Sequence, residues 1–334
     1  PDQLLCGNAH HHEQILLFDW KHAERPRLVR TLSPPPPLRY PHDFIRLSNG
    51  NVLVGFLRSE GPSPMPGDTI LPGGHGGVAE YDPSGRLLRV ASAADSTVSV
   101  PIRTYAFAVR PEIDRFVTTS AAMMEDYSAD VVQVWRLSDL TLLRTLAVPP
   151  AWLPSGEILP NGHELPFEPR VMPDGSVLLN TYRCGVYRVT GVDTPEPQIR
   201  NVYAFDVADR EGACGVPVVV GHYWIMPVGR GNRLVALDIR DPERPREVSR
   251  LMADTTFRPH WVAKDPGSDR LIVGAENGGE NRMLMARLDP RTGRLSWDES
   301  LRSQDGSLGI SFRRSRWPHG DTGEAFGHAA LFRP

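Results

Sequence analysis

Hydrophobic positions along the chain fall in short β-branched or aromatic runs, each closed by turn-forming residues; long windows of helical period are missing. NVLVGFL from Asn51, DRFVTTS from Asp114, VVQVWRLSDLTLLRTLAV from Val131, SVLLNTY from Ser176, RLVALD from Arg233 and RLIVGAE from Arg270 all have this form. The pattern predicts an all-β chain with closely spaced strands.

The runs repeat. FDWKHAERPRLVRTL from Phe18 and LDIRDPERPREVSRL from Leu237 agree in apolar positions and in the ERPR turn, and read as the third and fourth strands of one kind of four-stranded unit. The first two strands of that unit recur from His42 (HDFIRLSNGNVLV), Tyr105 (YAFAVRPEIDRFVTT), Phe167 (FEPRVMPDGSVLL), Cys214 (CGVPVVVGHYWIM) and His260 (HWVAKDPGSDRLIV). A sixth copy arises when HAALFRP from His328 is joined to the opening PDQLLCG. The expectation is one domain over residues 1–334, a six-bladed β-propeller closed by pairing of its N- and C-terminal strands, with a seven-bladed ring as the alternative.

In such a blade the turn between the second and third strands and the approach to the innermost strand share one mouth of the channel. The opposite turns are short here (SNGN, DPSG, PDGS, DPGSD, DPRTG). The mouth loops are long: RSEGPSPMPGDTILPGGHGG, SAAMMEDYSAD, AWLPSGEILPNGHEL and SLGISFRRSRWPHGDTGEAFG. Function is expected at that mouth, with the first of these loops as a lid.

Composition adds limits. The 334 residues are 40% hydrophobic and 23% charged, enough to bury a large core, and a net charge of -3 gives no reason to expect nucleic acid. No apolar run approaches the roughly 18 residues of a membrane span. The chain opens on Pro1 rather than methionine, which suits a processed or trimmed product and leaves its compartment, cytoplasmic or periplasmic and secreted, undecided. Cys6, Cys184 and Cys214 cannot all pair and form no CxxC, so each reads as a small buried hydrophobe.

Eleven histidines supply the candidate chemistry. His42, His260 and His328 share one register, the first residue of the innermost strand, and imidazoles converging on a channel have the donor type to hold a transition metal; hydrogen bonding in a wet channel is the simpler account of each alone. Tyr105, Phe167 and Cys214 occupy that register in the other blades. Glu168, displaced by one, is a candidate ligand or base if Pro169 lets the strand slip; Tyr105 is a candidate proton or redox residue. His75, His163 and His319 lie on loops of the same mouth as candidate substrate contacts, and His10, His11 and His12 form a turn beside His328. Phosphate loops, nucleophile elbows and H-E-x-x-H helices are missing.

At IRTYAFAVRPEIDRFVTT, DVVQVWRLSDLTLLRTL, LPFEPRVMPDGS, LVALDIRDPERPREVSRL and GHAALFRP the chain resembles the selenium-binding protein or methanethiol oxidase family. The resemblance implies a β-propeller and, as in bacterial members, copper-dependent oxidation of a small thiol with oxygen. It places the histidine of the family's HTSH segment on His42, its terminal histidine on His328, and the glutamate of its LEIRF-like strand on Glu168. The family's HHSGW motif and paired CxxC cysteines have no counterpart. The expected function is a copper- or iron-dependent, oxygen-using oxidoreductase acting on a small organic substrate. The alternatives are a zinc- or calcium-dependent hydrolase or lyase such as a lactonase, and a non-catalytic propeller that binds a protein partner.

Overall fold

A computed structural model of the chain describes residues 3–8, 14–22, 25–59, 74–122, 127–207, 213–276, 280–313, 316, 320, 327–330 and 332. Among them the regular structure is strand, with two single-turn 3-10 segments at Pro111–Ile113 and Gly229–Gly231. No described helix is long and apolar enough to cross a membrane.

The strands form antiparallel sheets ordered as the chain runs. The first has three strands, β1 (Gln3–Asn8), β2 (Gln14–Asp19) and β3 (Arg27–Leu32). The next is β4 (Leu38–Arg46), β5 (Val52–Ser59), β6 (Gly77–Tyr81) and β7 (Leu87–Ser92), followed by β8 (Thr104–Arg110), β9 (Arg115–Ser120), β10 (Val131–Arg136) and β11 (Thr141–Ala147). A hairpin of β12 (Ala151–Trp152) and β13 (Ile158–Leu159) precedes the sheet of β14 (Pro166–Val171), β15 (Val177–Thr181), β16 (Gly185–Thr190) and β17 (Gln198–Ala204). Then come β18 (Val218–Val220), β19 (Tyr223–Val228), β20 (Arg233–Asp238) and β21 (Arg246–Met252). In the last sheet β22 (Pro259–Lys264), β23 (Arg270–Ala275), β24 (Arg282–Leu288) and β25 (Leu295–Trp297) lie in order, and β26 (Ile310–Ser311) also pairs with β24.

Burial explains the sequence pattern. Strands such as β9 and β19 are covered on both faces and read as continuous apolar runs, whereas β3, β7 and β21 lie at sheet edges and are mostly exposed. The tight turns are held by carboxylates: in DPSG, Asp82 Oδ1 accepts the Ser84 and Arg86 amides, and Gly85 takes φ +82°, which a side chain would oppose.

The chain divides into two compact units, Pro1–Pro149 with Glu164–Leu179 and Val189–Arg200, and Pro150–His163 with Asn180–Arg188 and Asn201–Pro334. The first has cores around Phe107, Phe116 and Trp135 and around Ile15, Leu38 and Phe56; the second centres on Ile225, Leu234, Phe257 and Val273.

Three expectations change. Cys184 and Cys214 are not separate buried thiols but a disulfide in the second unit, because the turn after β15 brings their Cα atoms to 5.1 Å. Cys214 does not begin a regular strand: it makes an isolated bridge to Val228, and the strand starts at Val218, after Pro217, which has no amide hydrogen for a ladder. His328–Ala330 belongs to none of the strands. The proposed lid, residues 60–73 for the most part, lies outside the described residues.

Candidate functional site

In the first unit β4, β8 and β14 bring His42, Tyr105 and Phe167 side by side; His42 does not open its strand as expected, because β4 begins at Leu38, and Tyr105 and Phe167 are each the second residue of theirs. The imidazole of His42 lies 4.1 Å, centre to centre, from the Tyr105 ring, which stacks on Phe167 at 4.3 Å. These residues share the register of the repeats, one from each strand.

A β-bulge shapes the site. Pro41 and Phe44 of β4 sit opposite Phe56 and Val54 of β5, so three steps on one strand match two on the other. The surplus residue breaks the strict alternation of strand side chains, and His42 and the adjacent Asp43 both reach the backbone of β8. His42 Nδ1 lies 2.8 Å from the Tyr105 carbonyl, and Asp43 Oδ2 accepts the Phe107 amide at 2.9 Å. A carbonyl only accepts, so Nδ1 carries a proton, and in the neutral ring Nε2 is the basic nitrogen. β8 bulges at the equivalent place, Thr104 and Phe107 facing Ser120 and Thr118, and so does β22 in the second unit around His260.

The carboxyls beside this imidazole have different surroundings. Asp43 is pushed up to about 7, first by loss of water and then by the negative charge of Glu168; the amides of Phe107 and Phe44 and the charge of Arg170 oppose the rise without cancelling it. Glu168 is buried and paired with Arg170 at 2.9 Å. Near neutrality Asp43 is therefore poised between carboxylic acid and carboxylate, beside a charge-paired glutamate and an oriented imidazole. Sequence reasoning singled out His42, Tyr105 and Glu168 but missed Asp43. Its signal was a second polar residue next to the repeated histidine, which strict alternation assigns to the other face.

In the second unit His260 and His328 face each other, ring centres 4.7 Å apart, with Trp261 6.3 Å from His328. Burial, and then the neighbouring His328, pushes His260 down to about 3; burial also lowers His328. Both rings are therefore neutral at physiological pH, the form in which imidazole ligates metals. The pair supplies two neutral imidazoles. Among the described residues, no group of three or more His, Cys, Asp or Glu side chains could hold a metal ion.

The loop histidines divide. His75 Nδ1 accepts the Ile102 amide at 3.2 Å, a bond that anchors the approach to β8, and burial together with Arg103 lowers its pKa. His163 is half-buried in the turn before β14. His10, His11, His12 and His319 lie outside the described residues.

No family model and no curated protein matches the chain. Solved structures do. A hypothetical selenium-binding protein from Sulfolobus tokodaii aligns over 93% of this chain and 79% of its own, with TM-score 0.68 and 12% identity. A putative 6-phosphogluconolactonase from Bacteroides uniformis aligns over 96% and 88%, with TM-score 0.63 and 15% identity. A periplasmic gluconolactonase from Pseudomonas aeruginosa aligns over 85% and 75%, with TM-score 0.60 and 17% identity. At these identities the likeness carries the fold alone, an all-β architecture of propeller type.

Proposed function

From a propeller-type fold that bears an imidazole and two carboxyls on neighbouring strands, we propose that the protein is a hydrolase acting by general acid–base catalysis on a small ester or lactone. The observation that carries this reading is the convergence of His42, Asp43 and the Glu168–Arg170 pair where β4, β8 and β14 run side by side.

In the reaction His42 Nε2 takes a proton from water, and the resulting hydroxide attacks the substrate carbonyl. Collapse of the tetrahedral adduct breaks the C–O bond, and the Asp43 carboxyl donates its proton to the departing alkoxide. Glu168 favours the protonated form of Asp43, Arg170 holds Glu168 in place, and Tyr105 fixes the tautomer and tilt of His42. The two neighbours described as lactonases support this substrate class.

The test is a screen of aldonolactones and aryl esters, with acid release followed by pH indicator. Hydrolysis by the intact chain that falls at least about 100-fold in both His42→Ala and Asp43→Asn is expected. Turnover that survives both substitutions would overturn the assignment.

The copper- or iron-dependent oxidoreductase is the second reading, favoured by the His260–His328 pair. A redox metal bound there would supply oxygen or substrate activation, and zinc or calcium would supply a Lewis acid. On this reading, elemental analysis finds a metal that is lost in His260→Ala and His328→Ala but retained in Asp43→Asn; equal metal content in all three counts against it. The Cys184–Cys214 disulfide supports an oxidising compartment for the folded chain.

A further inference from the structure

The second unit holds a cavity of about 370 Å³, lined by the turn after β21, by β24 and β25, and by the segment leading to β26. This volume suits a small organic molecule. Leu284, Leu308 and Ala253 form apolar lining, and the Trp297 indole adds a wall whose position is fixed by its N–H, which donates to the Met252 carbonyl at 2.8 Å.

The charges on the lining are unequal. Arg282 is spent within the wall: its Nε and Nη2 donate to Glu280 Oε1 at 3.1 and 2.8 Å, and its Nη1 donates to the Leu308 carbonyl. Glu280 and Arg282 thus offset each other, and the remaining charge is the Asp254 carboxylate. Asp254 Oδ1 accepts the Thr256 amide at 2.9 Å, the Thr256 hydroxyl at 2.6 Å and the Phe257 amide at 2.9 Å. Those bonds hold the carboxylate ionised and aligned, below the usual aspartate range, while Oδ2 receives no hydrogen bond from the described residues.

We propose that this cavity binds a small organic ammonium ion, its apolar body against Leu284, Leu308 and Trp297 and its cationic head on Asp254. An anion would meet two carboxylates and a guanidinium whose donors are already used. A neutral molecule would gain only the apolar contact. An ammonium group gains the carboxylate, and an aromatic wall adds to its attraction.

Benzylammonium is the probe, titrated into the intact chain by calorimetry, with benzyl alcohol as its neutral isostere. Saturable binding of benzylammonium below ~10 mM, with the alcohol about ten-fold weaker, is expected. Asp254→Asn keeps an Oδ1 acceptor for the turn, so the variant should fold with an unchanged melting temperature and bind benzylammonium about as weakly as the alcohol. Equal affinity for the two ligands, unchanged affinity in Asp254→Asn, or no saturable binding would each overturn the proposal. The neutral-isostere comparison uses the unmodified protein and so decides the matter even if the variant misfolds.

Discussion

The Asp43 carboxyl accepts the amides of Phe44 and Phe107 at 2.8 and 2.9 Å, an arrangement that ordinarily lowers a carboxylate's pKa. Here it is pushed up to about 7 because loss of water and the charge of Glu168 outweigh both bonds. Between the ordinary aspartate value of 3.8 and about 7 the folded state holds a proton that the unfolded state has lost, so this group makes stability fall as pH rises through that window. Asp43→Asn removes the titration, and thermal melts should show a flatter profile from pH 4 to 7 than the parent's. Parallel profiles for the two proteins would contradict the raised pKa. His260 shows the opposite sign: burial favours the neutral ring, so its acid limb lies below the ordinary histidine range.

Among the elements, β22 depends on close backbone approach. A Cβ built on Gly215 would lie 1.9 Å from the His260 carbonyl oxygen, where the Val216 amide bonds to that oxygen and Val216 bridges Trp261 in parallel. Neither backbone segment can yield without breaking the bridge that sets His260. Gly215→Ala should therefore cost about 3 kcal/mol, read as a lowered denaturation midpoint, and should widen the His260–His328 spacing. Gly267→Ala, in the outer DPGSD turn with its nearest atom at 3.6 Å, should stay within about 0.5 kcal/mol of the parent. Equal midpoints for the two variants would show that the strand contact is looser than the geometry requires.

For the molecule as a whole, the Cys184–Cys214 disulfide is the covalent constraint among the described residues. It ties the turn after β15 to the segment before β18, where the Cys214 amide also donates to the Tyr182 carbonyl and Asn180 donates to the carbonyls of Cys214 and Gly215. Closing a loop with sequence separation 30 stabilises the fold by about 3 to 4 kcal/mol in the chain-entropy account. Cys184→Ser should lower the melting temperature, and reductant should lower that of the parent but not of the variant. In denaturant without reductant one thiol of the three cysteines should react, and all three after reduction. Three reactive thiols in the unreduced chain would exclude the bond.

What the sequence by itself determined is local and periodic. Short β-branched runs, turn residues and the ERPR repeat were enough for an all-β chain whose strands pair with their chain neighbours, and aligning the repeats put His42, Tyr105 and Phe167 at one register, where their rings meet. Such features depend on a side chain's own preference and on spacing two residues apart. The tertiary structure decided the rest. A bulge exists only relative to a partner strand, so the reach of Asp43 to β8 was hidden in HDFIRL although both polar residues stand there in plain order. The pairing of Cys184 with Cys214, the capture of His75 by a backbone amide, and the cavity beneath Trp297 each depend on segments brought together only when the sheets pack. The protonation of Asp43 follows the same rule, since desolvation and the field of Glu168 arise from packing.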